Sequence, residues 1–285
     1  MIGAGGATPR SRAERAQLAL LLEVTGTPKP GNVDRRRDHD DLRFEHFLAG
    51  AVRSVRGLRL AAGTAPLGLA FERAVFGMAE RTARNTQFGA LLALVPLVRA
   101  AARDDLSPAG AERAVAATTV RDACEFYRAF EHVDVAVGDP PAGLDDLDAR
   151  RGAGAVPAVR ERGLTLGALM TESADVDGIA REWSEGFPRT FAAAEDLLDG
   201  EGPVPDRAAR AFLDLLADRT DTFVAKRRGE AVAREATERA RRAREGRVDP
   251  ETLAEQFVAE GVNPGTTADI TAAALYVALE RGLSV

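Results

Sequence analysis

The chain is poor in cysteine, lysine, histidine and aromatic residues, and each scarcity excludes something. Cys124 is the only cysteine, so neither an internal disulfide nor a thiolate metal cluster can form, and a reducing, cytoplasmic setting is expected. The three histidines, His39, His46 and His132, are too scattered to suggest a histidine-based metal site. Aromatics make up only 5% of the residues, while alanine and leucine abound, a composition suited to packed helices rather than sheets. Long apolar runs are missing too. The most apolar window, 88–102, is interrupted by Pro96 and Arg99 and is too short for a bilayer, so no membrane partner is expected. Residues 1–9 lack the basic start and apolar centre of a signal peptide and read as a disordered tail. None of GxxxxGK[ST], GxGxxG after a strand, HExxH or GxSxG occurs.

What is present is a chain of 285 residues, 45% apolar, with a net charge of −6 and a pI near 5.3. The length supports a sizeable core. The acidic balance argues against a nucleic-acid partner. Only Lys29 and Lys226 are lysines, so the other basic residues are arginines.

Helical periodicity runs through the sequence. It predicts helices over Ser11–Val24, Asp41–Arg56, Pro66 to about Ala83, Gln87–Ala102 and Ser107 to about His132. Shorter ones follow within Leu164–Glu185 and Pro188–Leu198. A long charged helix is expected between Pro205 and about Arg244, and two more over Pro250–Glu260 and Thr266–Arg281. The polar stretch Asp134–Arg151 reads as a loop, disordered or a lid over a site. The expectation is an all-α single domain, residues 10–285, of about ten helices.

One stretch breaks this pattern with unusual stiffness: Thr25-Gly26-Thr27-Pro28-Lys29-Pro30-Gly31-Asn32-Val33-Asp34-Arg35. Two prolines fix φ and remove two N–H groups, and they push Thr27 and Lys29 into extended backbone. Gly31 and Asn32 then allow a sharp turn. Such an arm presents Lys29, Asp34 and Arg35 in a fixed arrangement suited to a polyphosphate with Mg²⁺. It also serves as a plain helix–helix connector, and the stretch alone does not separate the two.

Similar patterns recur at helix edges. Asp38-His39-Asp40-Asp41 precedes the second helix. One of these acids suffices as a cap, which leaves Asp38 and Asp41 open to a Mg²⁺ role. Asn85-Thr86-Gln87-Phe88-Gly89 opens the most apolar helix. Asn85 or Thr86 can cap it, and Gly89 admits a close approach to a helix N-terminus, an anion site in waiting. Asn263-Pro264-Gly265-Thr266-Thr267-Ala268-Asp269 resembles a capping box from Thr266 to Asp269, with Gly265 and Thr266 amides available to a ligand. Asp214, Asp218 and Asp221, at i, i+4 and i+7, are expected on one helix face beside Thr222 and Lys226. There they form either a cation site or a solvated acidic face.

Taken in order, these segments resemble the triphosphoribosyl-dephospho-CoA synthase family. Its Thr-Pro-Lys-Pro-Gly-x-Val-Asp-Arg signature is matched by Thr27–Arg35. Its Asn-Thr turn is matched by Asn85 and Thr86, and its late Asp-Thr by Asp221 and Thr222. Its Pro-Gly-x-x-Ala-Asp is matched by Pro264, Gly265, Ala268 and Asp269, and Val156–Glu161 is similar to its Leu-Pro-Ser-x-Arg-Glu region. The resemblance spans about residues 14 to 282. Two departures mark a divergent branch: Gln87-Phe88 stands where the family has His-Lys, and Lys226-Arg227 near where it has His-Arg.

The resemblance implies an enzyme that joins ATP to 3′-dephospho-CoA at C1′ of the ATP ribose, releasing adenine. It implies Mg²⁺ with ATP as substrate. Asp34 and Asp221 are the implied catalytic carboxylates, stabilising charge at C1′ and taking the hydroxyl proton. Lys29, Gly31, Asn32, Arg35, Asn85, Thr86, Gly89, Thr222, Lys226, Gly265 and Thr266 are the implied substrate contacts, and Asp38, Asp41 and Asp218 are the metal ligands expected from the acidic clusters themselves. Two alternatives stay open. One is a Mg²⁺-dependent N-glycoside hydrolase resembling ADP-ribosylglycohydrolases, motivated by the acidic clusters. The other is a non-catalytic nucleotide-binding module.

Overall fold

The computed structural model describes residues 10–80, 84–140 and 143–285. Every regular element among them is helical. The opening half comprises α1 (Arg12–Thr25), α2 (Phe44–Ala62), α3 (Leu67–Ala79), α4 (Phe88–Ala102), α5 (Pro108–Ala116), α6 (Val120–Ala129) and α7 (Val156–Arg162). It continues with α8 (Leu166–Ser173), α9 (Gly178–Glu185), α10 (Pro188–Asp199), α11 (Val204–Asp218), α12 (Thr222–Arg228), α13 (Glu230–Arg244), α14 (Pro250–Glu260) and α15 (Gly265–Glu280). Two short 3₁₀ turns, Asp145–Leu147 and Ala149–Ala155, lie ahead of α7.

The two most apolar helices form the centre. In α4 nearly every residue from Phe88 to Ala101 is buried, and α15 is buried on almost every side from Thr266 to Leu279. They pack on each other, with α1 and α2 against one flank and α10 and α11 against the other. Helices buried all round need no polar face, which is why their sequences lack one. A second, smaller core gathers Phe212, Leu216, Val224, Leu253 and Phe257 among α11–α14.

The all-α expectation holds, but the described residues form fifteen α-helices rather than about ten. Apolar periodicity carries across breaks of one to three residues, so it fuses neighbours. Thr119 starts α6 with a reciprocal capping pair to Asp122, which splits the helix expected from Ser107 to His132. The long charged helix is three helices, separated by Asp221 as a cap and by Gly229 at φ 90°. The expected helix start at Asp41 moves to Phe44, whose N–H donates to Asp38 Oδ1 at 2.8 Å. Two expectations, the disordered tail over 1–9 and the end of the third helix near Ala83, fall outside the described residues. No helix among the described residues is long and apolar enough to cross a membrane.

Candidate active site

The stiff arm after α1 carries a cis Thr27–Pro28 bond and ends at Gly31, whose φ is 75°. A Cβ on residue 31 would lie 1.9 Å from the Val262 carbonyl oxygen, so only glycine lets the arm cross the exit of α14. Lys29 is wholly buried. Its ammonium donates to Glu23 of α1 and to Asn32 Oδ1 at 2.9 Å. Asn32 passes the link on, its Nδ2 donating to Asn263 Oδ1 at 2.9 Å. Lys29 thus ties three wall residues together instead of presenting a free cation.

Asp34, also wholly buried, holds the arm's shape. It accepts from Thr27 Oγ1 at 2.9 Å, from the Lys29, Arg36 and Arg37 amides at 3.2, 2.8 and 3.0 Å, and from Arg37 Nη1 at 3.0 Å. Arg35 points outward, 3.9 Å from Asp206.

Beside this arm the N-termini of α4, α9, α12 and α15 face one cavity of about 270 Å³. Asp177 caps α9, accepting from the Ile179 and Ala180 amides at 2.9 Å, and pairs with Lys226 of α12. Burial would push the Asp177 carboxyl up. The Lys226 charge and the helix amides outweigh it and hold the carboxyl below its usual range.

Asp221 caps α12 through the Phe223 and Val224 amides at 2.9 and 3.0 Å, and its Oδ2 accepts from the Thr267 amide and hydroxyl at 2.7 Å. Burial nonetheless raises its pKa. Thr222 Oγ1 accepts from the Gly178 amide at 3.0 Å and lies 3.0 Å from Thr266 Oγ1, which locks α9, α12 and α15 together.

At α4, Asn85 Oδ1 accepts from the Phe88 amide at 3.1 Å. The anion that Gly89 admits belongs to the chain itself. Asp269 of α15 lies against the first turn of α4, where the Ala90 amide favours its charged form, and a Cβ on residue 89 would fall 2.0 Å from its Oδ2. Burial, then the negative charges of Glu23, Asp221 and Asp177, raise the Asp269 carboxyl well above the usual range. Glu23 is also raised by burial, against the pull of Lys29.

Of the residues expected from the sequence, Asn32, Asn85, Thr86, Gly89, Lys226, Gly265 and Thr266 line this cavity. Lys29, Gly31, Thr222, Asp34 and Asp221 do not line it. Lys29, Gly31, Asp34 and Asp221 are buried, and these two aspartates spend their oxygens on the arm and the α12 cap. Asp38 caps α2, Asp41 is exposed, and Asp218 ends α11 with its side chain 66% exposed and 3.9 Å from Arg189. None of these three lines the cavity.

The carboxylate ladder does not form, because Asp221 lies beyond the end of α11. Nor does the capping box at Thr266, because Asp269 turns to α4 and Thr266 to Thr222. The sequence reading missed Glu23, Asp177, Asp269 and Asn263 as lining residues. Asp177, directly ahead of Gly178, carried a cap signal; Glu23 looked like any helical glutamate.

Among the described residues five acidic side chains line the cavity, Glu23, Asp139, Glu172, Asp177 and Asp269, against one basic residue, Lys226. Its remaining wall is largely apolar and includes Phe88, Phe126, Tyr127 and Phe130. Among the described residues no three His, Cys, Asp or Glu side chains are grouped to hold a metal ion by themselves.

The model of the ATP:dephospho-CoA triphosphoribosyl transferase (CitG) family matches residues 9–284. The chain belongs to this family. Its reaction is triphosphoribosyl transfer from ATP to dephospho-CoA. The fold is also similar to a crystal structure from Archaeoglobus fulgidus, of a protein proposed to be a triphosphoribosyl-dephospho-CoA synthase. The two share 27% identity and superpose with a TM-score of 0.66, over 82% of this chain and 99% of that one. No curated protein matches the chain.

Proposed function

We propose that the cavity beside the Thr27–Arg35 arm is where the 5-triphosphoribosyl group of ATP passes to a ribose hydroxyl of 3′-dephospho-CoA or a closely related alcohol. The observation that carries this is convergence: Asn32, Asn85, Lys226 and Thr266, from four distant segments, share one cavity wall. The acceptor oxygen forms a bond to C1′ as the bond from C1′ to the adenine nitrogen breaks. Adenine leaves with the electron pair and takes up a proton.

Asp269 is the base in this proposal and receives the proton of the attacking hydroxyl. Burial and the neighbouring carboxylates raise its pKa, which makes it a stronger base than an exposed aspartate. Glu23 and Asp269 together supply the negative potential that favours positive charge at C1′. Asp34 and Asp221 act through position: one shapes the arm, the other sets α12 against α15.

Mg²⁺ is part of this proposal as the partner of ATP. Among the described residues no ready-made cage exists, yet their five acids and one base repel a bare triphosphate. Glu23, together with phosphate oxygens, would hold a magnesium ion, which fits that donor set. When bound it would neutralise phosphate charge.

The test is release of adenine from ATP, Mg²⁺ and dephospho-CoA by the purified protein. No adenine above an Asp269→Asn control would count against the reading. Adenine release that persists without dephospho-CoA would favour hydrolysis, the alternative the family does not favour.

A further inference from the structure

The chemistry of the cavity wall can be followed from one residue to the next. Phe88, Phe126 and Phe130 form an aromatic wall: Phe88 and Phe130 lie 5.0 Å apart between centroids, Phe126 and Phe130 5.2 Å. Phe88 adjoins Gly89, which touches Asp269. Thr266 stands three residues, or about 4.5 Å of helix rise, before Asp269 on α15. Its hydroxyl meets Thr222, and Lys226 follows Thr222 one turn along α12. The sequence of functions is aromatic wall, carboxylate, hydroxyl, cation.

ATP has the same order: purine base, C1′, ribose, triphosphate. The reverse alignment would put phosphates against phenyl rings and the base against an ammonium, with nothing to solvate either. The N-terminus of α4, otherwise an anion site, is already filled by Asp269. We infer that the aromatic wall of the cavity seats the purine base of the nucleotide donor, with the triphosphate running past Thr266 to Lys226. This rests on the reading that ATP is the donor, and it makes Phe88 a determinant of base specificity. Adenine also occurs in dephospho-CoA; the assignment here is to the base that leaves.

Calorimetry on the unaltered protein tests it first. Free adenine and Mg²⁺-tripolyphosphate should bind together, adenine affinity changing by less than about twofold when tripolyphosphate is saturating. Mutual exclusion would overturn the assignment. Phe88→Leu should then raise the KM for ATP and the inhibition constant of adenine about tenfold, the scale of one lost ring–base contact. The KM for dephospho-CoA and inhibition by tripolyphosphate should stay unchanged. A rise confined to dephospho-CoA would place the acceptor's base there and overturn the assignment. Failure of the unaltered protein to release adenine from ATP would sink the donor reading itself, a different result from either.

Discussion

Gly89 and Asp269 meet across the two central helices at a distance that no side chain on residue 89 could tolerate, since its Cβ would lie 2.0 Å from Asp269 Oδ2. The carboxylate therefore rests against the first turn of α4, where helix amides favour negative charge. Gly89→Ala should push Asp269 off this seat. We expect kcat to fall at least about 100-fold, the scale of a 1 Å misplacement of a reacting group. Adenine-release kinetics check this, and near-native kcat would show that the contact is dispensable.

Asp269 also makes a pH prediction. Its carboxyl is raised in the folded protein, so between the unfolded and folded pKa values the native state binds more protons than the unfolded one. Its contribution to stability is complete below the unfolded value, near 3.9, and declines as pH rises through the folded one. Asp269→Asn removes that titration. The variant should gain in melting temperature relative to the parent at pH 8 but not at pH 4, while losing activity. An equal shift at both pH values would contradict the assignment.

The Lys29–Glu23 pair is buried with both partners almost inaccessible. Removing one member of such a pair costs about 3–5 kcal/mol because the other is left charged and unsolvated. Lys29→Met should destabilise by that order in denaturant titration. Adding Glu23→Gln should recover part of the loss, yet activity should not return, since Glu23 lines the cavity. A double variant as unstable as the single one would show that Lys29 acts through Asn32 alone.

The sequence made some of this visible and hid the rest for physical reasons. Burial on all sides left α4 without a polar stripe, so its central place was readable from Phe88–Ala102. The arm at Thr27–Arg35 was legible as a stiff turn, because proline and glycine act locally. What its charges do was not. Lys29 finds Glu23 six residues away only after the arm folds back, and Asn32 finds Asn263 across 231 positions. Asp221 read as a face residue because a period of 3.6 carries over a helix end. Asp269 read as a local cap, whereas its partner is a helix 180 residues earlier in the chain. Contacts of that range leave no periodic trace.

Lys226 gives the last prediction. It is the only basic side chain lining the cavity among the described residues, and its ammonium pairs with Asp177 at the N-terminus of α9. Lys226→Ala should act on two readouts. Removing the cation from the phosphate end should raise the KM for ATP about tenfold or more, with a smaller change for dephospho-CoA. It should also remove stability held by Asp177. That carboxyl is depressed in the folded state, so its contribution is present above the unfolded pKa and lost as pH falls through the folded one. The pair is partly exposed, so the loss at pH 7 should be modest, about 1 kcal/mol, and should be smaller at pH 3. Parallel ATP kinetics and denaturant titrations at the two pH values separate these effects. A variant with unchanged KM for ATP but the expected stability loss would leave Lys226 as a brace for α9 and put the phosphates elsewhere.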